Sequence, residues 1–280
     1  MNGPYEVSVE VGGVAVALRT GDSAFVRMIR DRYEGFADAG GNPEYRFDID
    51  LLPADQAADD TEDVSVSRGP KGWSIRRGDF RAEWDPAART GTIRQSCNPY
   101  SIDSVLRIVH TLVLAEKGGF LLHAASGVRN GRAFLFSGVS GAGKTTISRL
   151  APADVTLLTD EVSYVRPGSR REHAGEAACA TGGQQYYAYG TPFAGELAKV
   201  GENTSAPIAA LYLLAQGPQN RIDELTPGEA TRGLLQNILF FAKDPALVQR
   251  VFDAAFRFVA GTPVHRLTFV PDSRVWELIA

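Results

Sequence analysis

Cysteine is nearly absent: Cys97 and Cys179 are the only two in 280 residues, far apart and outside any metal-ligand spacing. Neither a disulfide-stapled scaffold nor a cysteine-built metal centre is expected, and a reducing cytoplasm is the simplest compartment. Long apolar runs are missing as well. The longest, such as Ile208 to Ala215, fall far short of the roughly 20 residues that a membrane helix needs, and Met1 to Glu10 lacks a basic start followed by an apolar stretch. No membrane partner is expected. Blocks of one charge sign are also lacking, because 29 basic residues are interspersed with 33 acidic ones for a net charge of -4. A nucleic-acid groove or polybasic membrane patch therefore has no footprint. With 44% hydrophobic residues the chain can bury a full core, as one large domain or as a small one beside a larger.

The chain opens as β. Val7, Val9 and Val11 alternate up to Gly12-Gly13, and Val14, Val16 and Leu18 follow, which is the pattern of a hairpin with a glycine turn. A helical piece is expected near Ala24 to Phe36 and a strand over Tyr45 to Leu51, then a polar acidic loop over Ala54 to Asp63. From Val64 to Ile93, short strands around Trp73, Ile75, Phe80 and Trp84 alternate with turn residues, predicting an antiparallel meander. Ile102, Val105, Leu106, Val109, Leu112 and Val113 then recur at helical spacing behind Ser101 as a cap, and Gly118-Gly119 ends the run. Further on, strands are expected at Phe120 to Ala125, Arg132 to Ser137, Val155 to Leu158, Pro207 to Ala215 and Val264 to Val270, with helices at Glu229 to Ala242 and Ala246 to Val259. This pattern divides into a β-rich region over residues 1–97 and a mixed α/β region over 98–280.

The sharpest chemical signal is Gly138-Val139-Ser140-Gly141-Ala142-Gly143-Lys144-Thr145, which satisfies G-x-x-x-x-G-K-[ST] between an apolar strand and a helical continuation through Thr146, Ile147 and Leu150. Backbone N–H groups of such a loop form a nest for phosphate, which implicates Gly138, Ser140, Gly141, Ala142, Gly143, Lys144, Thr145 and Thr146 in nucleotide binding. Lys144 would reach the β- and γ-phosphates and Thr145 would hold Mg2+. The weight of Lys144 is increased by the scarcity of lysine, of which the chain has five. Fourteen residues beyond Thr145, the strand Val155 to Leu158 ends in Thr159-Asp160-Glu161, and a carboxylate at a strand end beside a phosphate loop is where Mg2+ is held.

The stretch from Leu122-His123 through the loop to Leu158-Thr159-Asp160-Glu161 resembles the catalytic domain of HPr kinase/phosphorylase, and the loop is also similar to that of ATP-dependent phosphoenolpyruvate carboxykinase. The resemblance covers about residues 120 to 165 and does not extend clearly to residues 1 to 95. It implies an α/β (mixed) HPr kinase/phosphoenolpyruvate carboxykinase-like nucleotide-binding domain, and the lack of a proline- or serine-rich linker between Thr92 and Ser101 predicts that the small β-rich region packs on it. It further implies ATP and Mg2+ as cofactors and a protein or peptide acceptor offering a serine hydroxyl. His123 matches the family's histidine before the loop and Asp160 the first of its paired aspartates, while Glu161 stands where the second would be. The implied catalytic set is thus His123, Lys144, Asp160 and Glu161, with Thr145 and Asp160 on the metal. Self-association into a homo-oligomer stays open. A small-molecule kinase and a non-catalytic nucleotide-binding regulator are the alternatives. Glu196 is a metal or substrate carboxylate or a turn acid, and Tyr186, Tyr187, Tyr189 and Phe193 are substrate contacts or packing. His110, His173 and His265 have no partner spacing, and nothing separates Arg232 and Arg266 from the other arginines.

Overall fold

A computed structural model describes residues 4–53, 63–168, 184–197 and 200–279. The expected acidic loop lies almost wholly outside the described residues, as do His173, Cys179 and Gly182-Gly183. The chain divides into two compact units, one of Met1–Val113 with Phe240–Val248 and the other of Leu114–Leu239 with Gln249–Ala280.

The first unit is built on one seven-stranded sheet. Strands β1 (Tyr5–Val11) and β2 (Val14–Thr20) form the hairpin, in which Gly12 and Gly13 take φ of 59° and 74° as its two-residue turn requires. Helix α1 (Ser23–Arg32) starts where Asp22 accepts from the N–H groups of Ala24 and Phe25, and it buries Phe25, Val26 and Ile29. Strand β3 (Tyr45–Leu51) runs parallel to both β2 and β7, and the meander β4 (Ser65–Gly69), β5 (Gly72–Arg77), β6 (Phe80–Asp85) and β7 (Thr90–Gln95) completes the order β1-β2-β3-β7-β6-β5-β4. Period-2 alternation puts Phe47, Ile49, Trp73, Ile75, Phe80, Trp84 and Ile93 in the core and charged residues on the opposite face. Helix α2 (Pro99–Glu116) follows, with the expected apolar positions Ile102, Val105, Leu106, Val109 and Leu112 all buried. Ser101 is not its cap. Asn98 holds that place, accepting from the Tyr100 N–H at 2.9 Å with Pro99 behind it, while the Ser101 hydroxyl donates to buried Asp79 at 2.6 Å.

The second unit holds strands β8 (Phe120–Arg129), β9 (Arg132–Ser137), β10 (Thr156–Thr159), β11 (Val162–Pro167), β12 (Tyr186–Tyr189), β13 (Ser205–Gln216), β14 (Arg221–Glu224), β15 (Ile238–Leu239) and β16 (Val264–Phe269), with helices α3 (Lys144–Arg149), α4 (Pro227–Leu235) and α5 (Pro245–Gly261), the last beginning in the first unit. Pairings β8–β9, β9–β13, β13–β12, β12–β11 and β11–β8 close into a five-strand circuit, a small barrel. Within it only β9 and β13 are parallel; β16 extends the parallel set along β13.

The expected α/β (mixed) HPr kinase/phosphoenolpyruvate carboxykinase-like architecture is thereby corrected: among the described residues the chain is mostly β, 40% strand and 26% helix, with a five-strand barrel and a large sheet. The physical reason lies in elements that periodicity hides. The run Glu229 to Ala242 is not one helix, because α4 ends at Leu235 and the chain returns as β15 against Leu121 and Leu122. Strands β11, β12 and β14 carry too few alternating positions to stand out in the sequence. Continuous apolar runs in β8, β9 and β13 arise because both faces are buried. Phe120, Leu122, Leu135 and Leu211 pack with Ala230, Leu234 and Phe258 from α4 and α5, whereas Ala125, Phe136 and Tyr212 pack with Ile147 of α3 and Trp276.

Candidate functional site: a glycine loop facing three carboxylates

Strand β9 carries the chain from the buried sheet at Ser137 straight into the glycine loop, and α3 leaves it at Lys144. The loop's shape demands its glycines. Gly141 and Gly143 have φ of 78° and 110°, and a Cβ on Gly143 would stand 2.6 Å from the Phe269 ring. A Cβ on Gly138 would meet that of Ala142 at 2.8 Å. The Ala142 N–H donates to the Val139 carbonyl at 3.0 Å, and Gln216, at the end of β13, donates from Nε2 to the Gly141 carbonyl at 2.8 Å. Gln216 carries no sequence signal, since it lies 75 residues from its partner. Ser140 and Gly141 are exposed at the tip, and Thr146 is half-buried in α3.

Lys144 is buried and curls over the loop, donating from Nζ to the carbonyls of Gly138 at 2.9 Å and Val139 at 3.3 Å. Burial pushes its ammonium below the ordinary lysine range, and the carboxylates of Glu161 and Glu196 pull in the opposite direction. Both acids therefore lie within electrostatic reach of the lysine.

The third carboxylate acts on the backbone. At the end of β10, the Thr159 hydroxyl accepts from the N–H groups of Glu161 and Val162, both at 3.2 Å, and this tight turn sets Asp160 and Glu161 at the loop side of the strand. Asp160 is buried, and its Oδ1 and Oδ2 accept from the N–H groups of Gly195 at 2.8 Å and Leu197 at 2.9 Å. The residue between those two, Glu196, is thereby held against α3, where its Oε2 accepts from the Thr145 hydroxyl at 3.2 Å. The base of the same segment is fixed by the Thr191 N–H and the Glu202 N–H, which donate to the carbonyls of Leu158 and Leu157. A Cβ on Gly195 would press on Asp160 and Glu161 at 2.9 Å, so the close approach needs glycine there.

His123 sits in β8, one residue before Ala124 pairs with Ser137, the last residue of β9. Its backbone N–H donates to the Asn237 carbonyl and its carbonyl accepts from the Ser137 hydroxyl. Strand alternation puts it on the face shared by Ala125, against which α3 packs, and away from Leu122 and Ala124. Tyr186, Tyr187, Tyr189 and Phe193 are all buried, with Tyr186 edge-on to Phe258 and Tyr189 edge-on to Tyr164, so packing accounts for them. The exposed Glu229 carboxyl is held below its usual range first by hydrogen bonds from the Thr226 hydroxyl and N–H, with a smaller contribution from the Arg266 and Arg232 charges.

Among the described residues no three His, Cys, Asp or Glu side chains form a metal cage. Mg2+ at a nucleotide needs less than that, because it keeps several waters and takes one or two protein oxygens besides the phosphates. The Thr145 hydroxyl beside the Glu196 carboxylate is a donor set of that kind, and fits.

The model of a protein family, SynChlorMet cassette protein ScmC, matches residues 92–280. The chain belongs to the ScmC family. The matched span takes in His123, the whole glycine loop, the Asp160–Glu161 turn and Glu196, so the ScmC-like part contains every component of the site. No curated protein matches the chain. Among the described residues, no helix is long and apolar enough to cross a membrane.

Proposed function

We propose that this ScmC-family chain is an ATP- and Mg2+-dependent phosphotransferase that moves the γ-phosphoryl group to a hydroxyl, the acceptor being a serine of a protein or peptide. The observation that carries the reading is the hydrogen bond between Thr145 and Glu196 beside buried Lys144, with Glu161 within electrostatic reach of that lysine, at the end of a glycine loop in which Gly141 and Gly143 take positive φ. Phosphoryl transfer asks mainly for positioning and charge neutralisation, and these residues supply both. Lys144 would exchange its two loop carbonyls for β- and γ-phosphate oxygens, and the loop N–H groups would take the remaining charge. Thr145 and Glu196 would hold the metal ion, which when bound neutralises the phosphate oxygens. Glu161 would accept the proton of the attacking hydroxyl as the new O–P bond forms and the bond from γ-phosphorus to the bridging oxygen breaks, releasing ADP. The likeness of residues 120 to 165 to HPr kinase supports the serine acceptor and a role for His123 near the γ-phosphate.

Incubation with γ-labelled ATP and two peptide pools identical except for serine or alanine at one position tests the assignment. Label should enter only the serine pool, and should be lost with Lys144→Ala. Label in neither pool, from a protein that still binds ATP, would favour the nucleotide-binding regulator instead.

A further inference from the structure

The last residues of the second unit pack around the strand, loop and helix of the candidate phosphate site. Helix α3 spans six residues, about 9 Å, which is too short to hold its place without tertiary contacts. Two aromatic side chains supply them. The Phe269 ring lies against Gly143, and Trp276, in a 3-10 helix over Ser273–Glu277, is buried edge-on to Phe136 of β9 with ring centroids 5.2 Å apart. The Trp276 indole also reaches α3 itself. At the end of that helix the N–H groups of Leu150 and Ala151 donate to the carbonyls of Thr146 and Ser148, and the Ile147 carbonyl between them accepts from Trp276 Nε1 at 3.1 Å. The segment that presents the indole is itself fixed at both ends. Asp272 starts it by accepting from the Arg274 N–H at 2.9 Å, and Arg129, the last residue of β8, donates from Nη1 to the carbonyls of Trp276 at 2.8 Å and Ile279 at 3.0 Å.

We propose that Trp276 is a positioning residue for the nucleotide site, its indole N–H setting the place of α3 so that Lys144 and Thr145 meet the phosphates and the metal ion; the inference rests on the phosphotransferase reading above. The loop is entered from β9 and left through α3, and Trp276 touches both, through its ring on Phe136 and its hydrogen bond to Ile147. It therefore ties the two flanks of the loop together. Ile147 lies three residues beyond Lys144, less than one helical turn, so a displacement of its carbonyl is passed on to the lysine. Small displacements of a group that positions substrate are enough to slow a reaction. Packing alone would ask only for a ring at this position, whereas the hydrogen bond asks for an N–H on that ring, and loss of the donor leaves a buried carbonyl unpaired.

Trp276→Phe keeps a ring beside Phe136 and removes the donor. In the full chain, calorimetry should show its affinity for ATP with Mg2+ weakened about tenfold, the size expected when one buried hydrogen-bond partner is lost. Ile222→Ala, which trims the same apolar cluster from β14, should lower the melting temperature and leave ATP affinity unchanged. A second measurement keeps the wild-type side chain. The chain has three tryptophans, of which Trp73 and Trp84 lie in the first unit, so 5-fluorotryptophan labelling gives three 19F signals that Trp73→Phe and Trp84→Phe assign. The Trp276 signal should move when ATP and Mg2+ are added, and should stay in place in Lys144→Ala. Wild-type affinity in a folded Trp276→Phe chain, equal weakening in Ile222→Ala, or a Trp276 signal that ignores bound ATP would each overturn this inference alone. A wild-type chain that binds no ATP would overturn the phosphate-loop reading, and this inference with it.

Discussion

Asp160 and Glu196 divide between them what the sequence suggests for one residue. Asp160 has the strand-end position of a metal carboxylate, yet its two oxygens each accept a backbone N–H from the segment that presents Glu196 to Thr145. Replacing Asp160 by Asn turns one of those acceptors into a donor facing an N–H, which costs about 1–3 kcal/mol for the buried group left unsatisfied. Asp160→Asn should therefore lower the melting temperature and also weaken the Mg2+ dependence of ATP binding, because Glu196 loses its anchor. Glu196→Gln should weaken the Mg2+ dependence alone, since Glu196 is exposed and the amide oxygen of Gln can still accept from the Thr145 hydroxyl. Thermal melts alongside Mg2+ titrations separate the two, and an unchanged melting temperature in Asp160→Asn would remove its anchoring role. Glu161→Gln should leave ATP affinity nearly intact and lower turnover, which single-turnover assays can read. The loop, Lys144, Thr145 and the acidic pair were legible because each lies in a short contiguous pattern. Glu196 stood out only as either a metal or substrate carboxylate or a turn acid, because its contact with Thr145 spans 51 residues, and Gln216 gave no signal at all, since it reaches the loop from 75 residues away through folding alone.

At the scale of elements, two tight contacts carry testable weight. Gly143 combines a left-handed backbone with the Phe269 ring directly over its α-carbon, so Gly143→Ala should both destabilise the second unit and abolish ATP binding. A stable, ATP-binding Gly143→Ala chain would mean that the loop is not held as described. In the first unit, Asp79 accepts from Arg77 Nη2 at 2.8 Å and from Ser101 Oγ at 2.6 Å, joining the β5–β6 turn to the start of α2. Burial pushes the Asp79 carboxyl up, but the bonds from Arg77 and Ser101 and the Arg77 charge outweigh it and hold the group below the usual carboxylate range. The stability it contributes is thus fully present above the unfolded value of about 3.9 and is lost as pH falls through the lower folded value. Asp79→Ala should cost about 3 kcal/mol near neutrality, as removing one partner of a buried pair does. The wild-type advantage in urea melts should shrink below about pH 4. Hairpin β1–β2 and helix α2 were readable from glycine placement and from the 3.6-residue repeat. The end of α4 was not, because Leu234, Leu235 and Ile238 continue an apolar pattern across a change from helix to strand.

For the whole molecule, the boundary between units matters more than the order of elements along the chain. The first unit takes in most of α2 and also Phe240–Val248, where Arg68 pairs with Asp244 at 3.5 Å and Asp244 starts α5 by accepting the Leu247 N–H. A cut at residue 97 therefore falls inside a compact unit, and a fragment of residues 98–280 would expose the buried face of α2 and leave residues 240–248 without their partners. That fragment should aggregate on size-exclusion chromatography, and a monodisperse, ATP-binding fragment would show that the second unit folds alone. The change from β alternation to helical periodicity near residue 97 was visible in the sequence, whereas the return of residues 240–248 to the first unit was not, because it depends on contacts across more than a hundred residues. The functional expectations rest on the glycine loop being a phosphate site. Isothermal calorimetry of the full-length chain with ATP, with and without Mg2+, beside the Lys144→Ala chain, tests that most directly. The account predicts Mg2+-enhanced binding that is lost in Lys144→Ala, because backbone amides alone cannot neutralise a triphosphate; equal affinity in the two chains with Mg2+ present, or no binding to either, would contradict it.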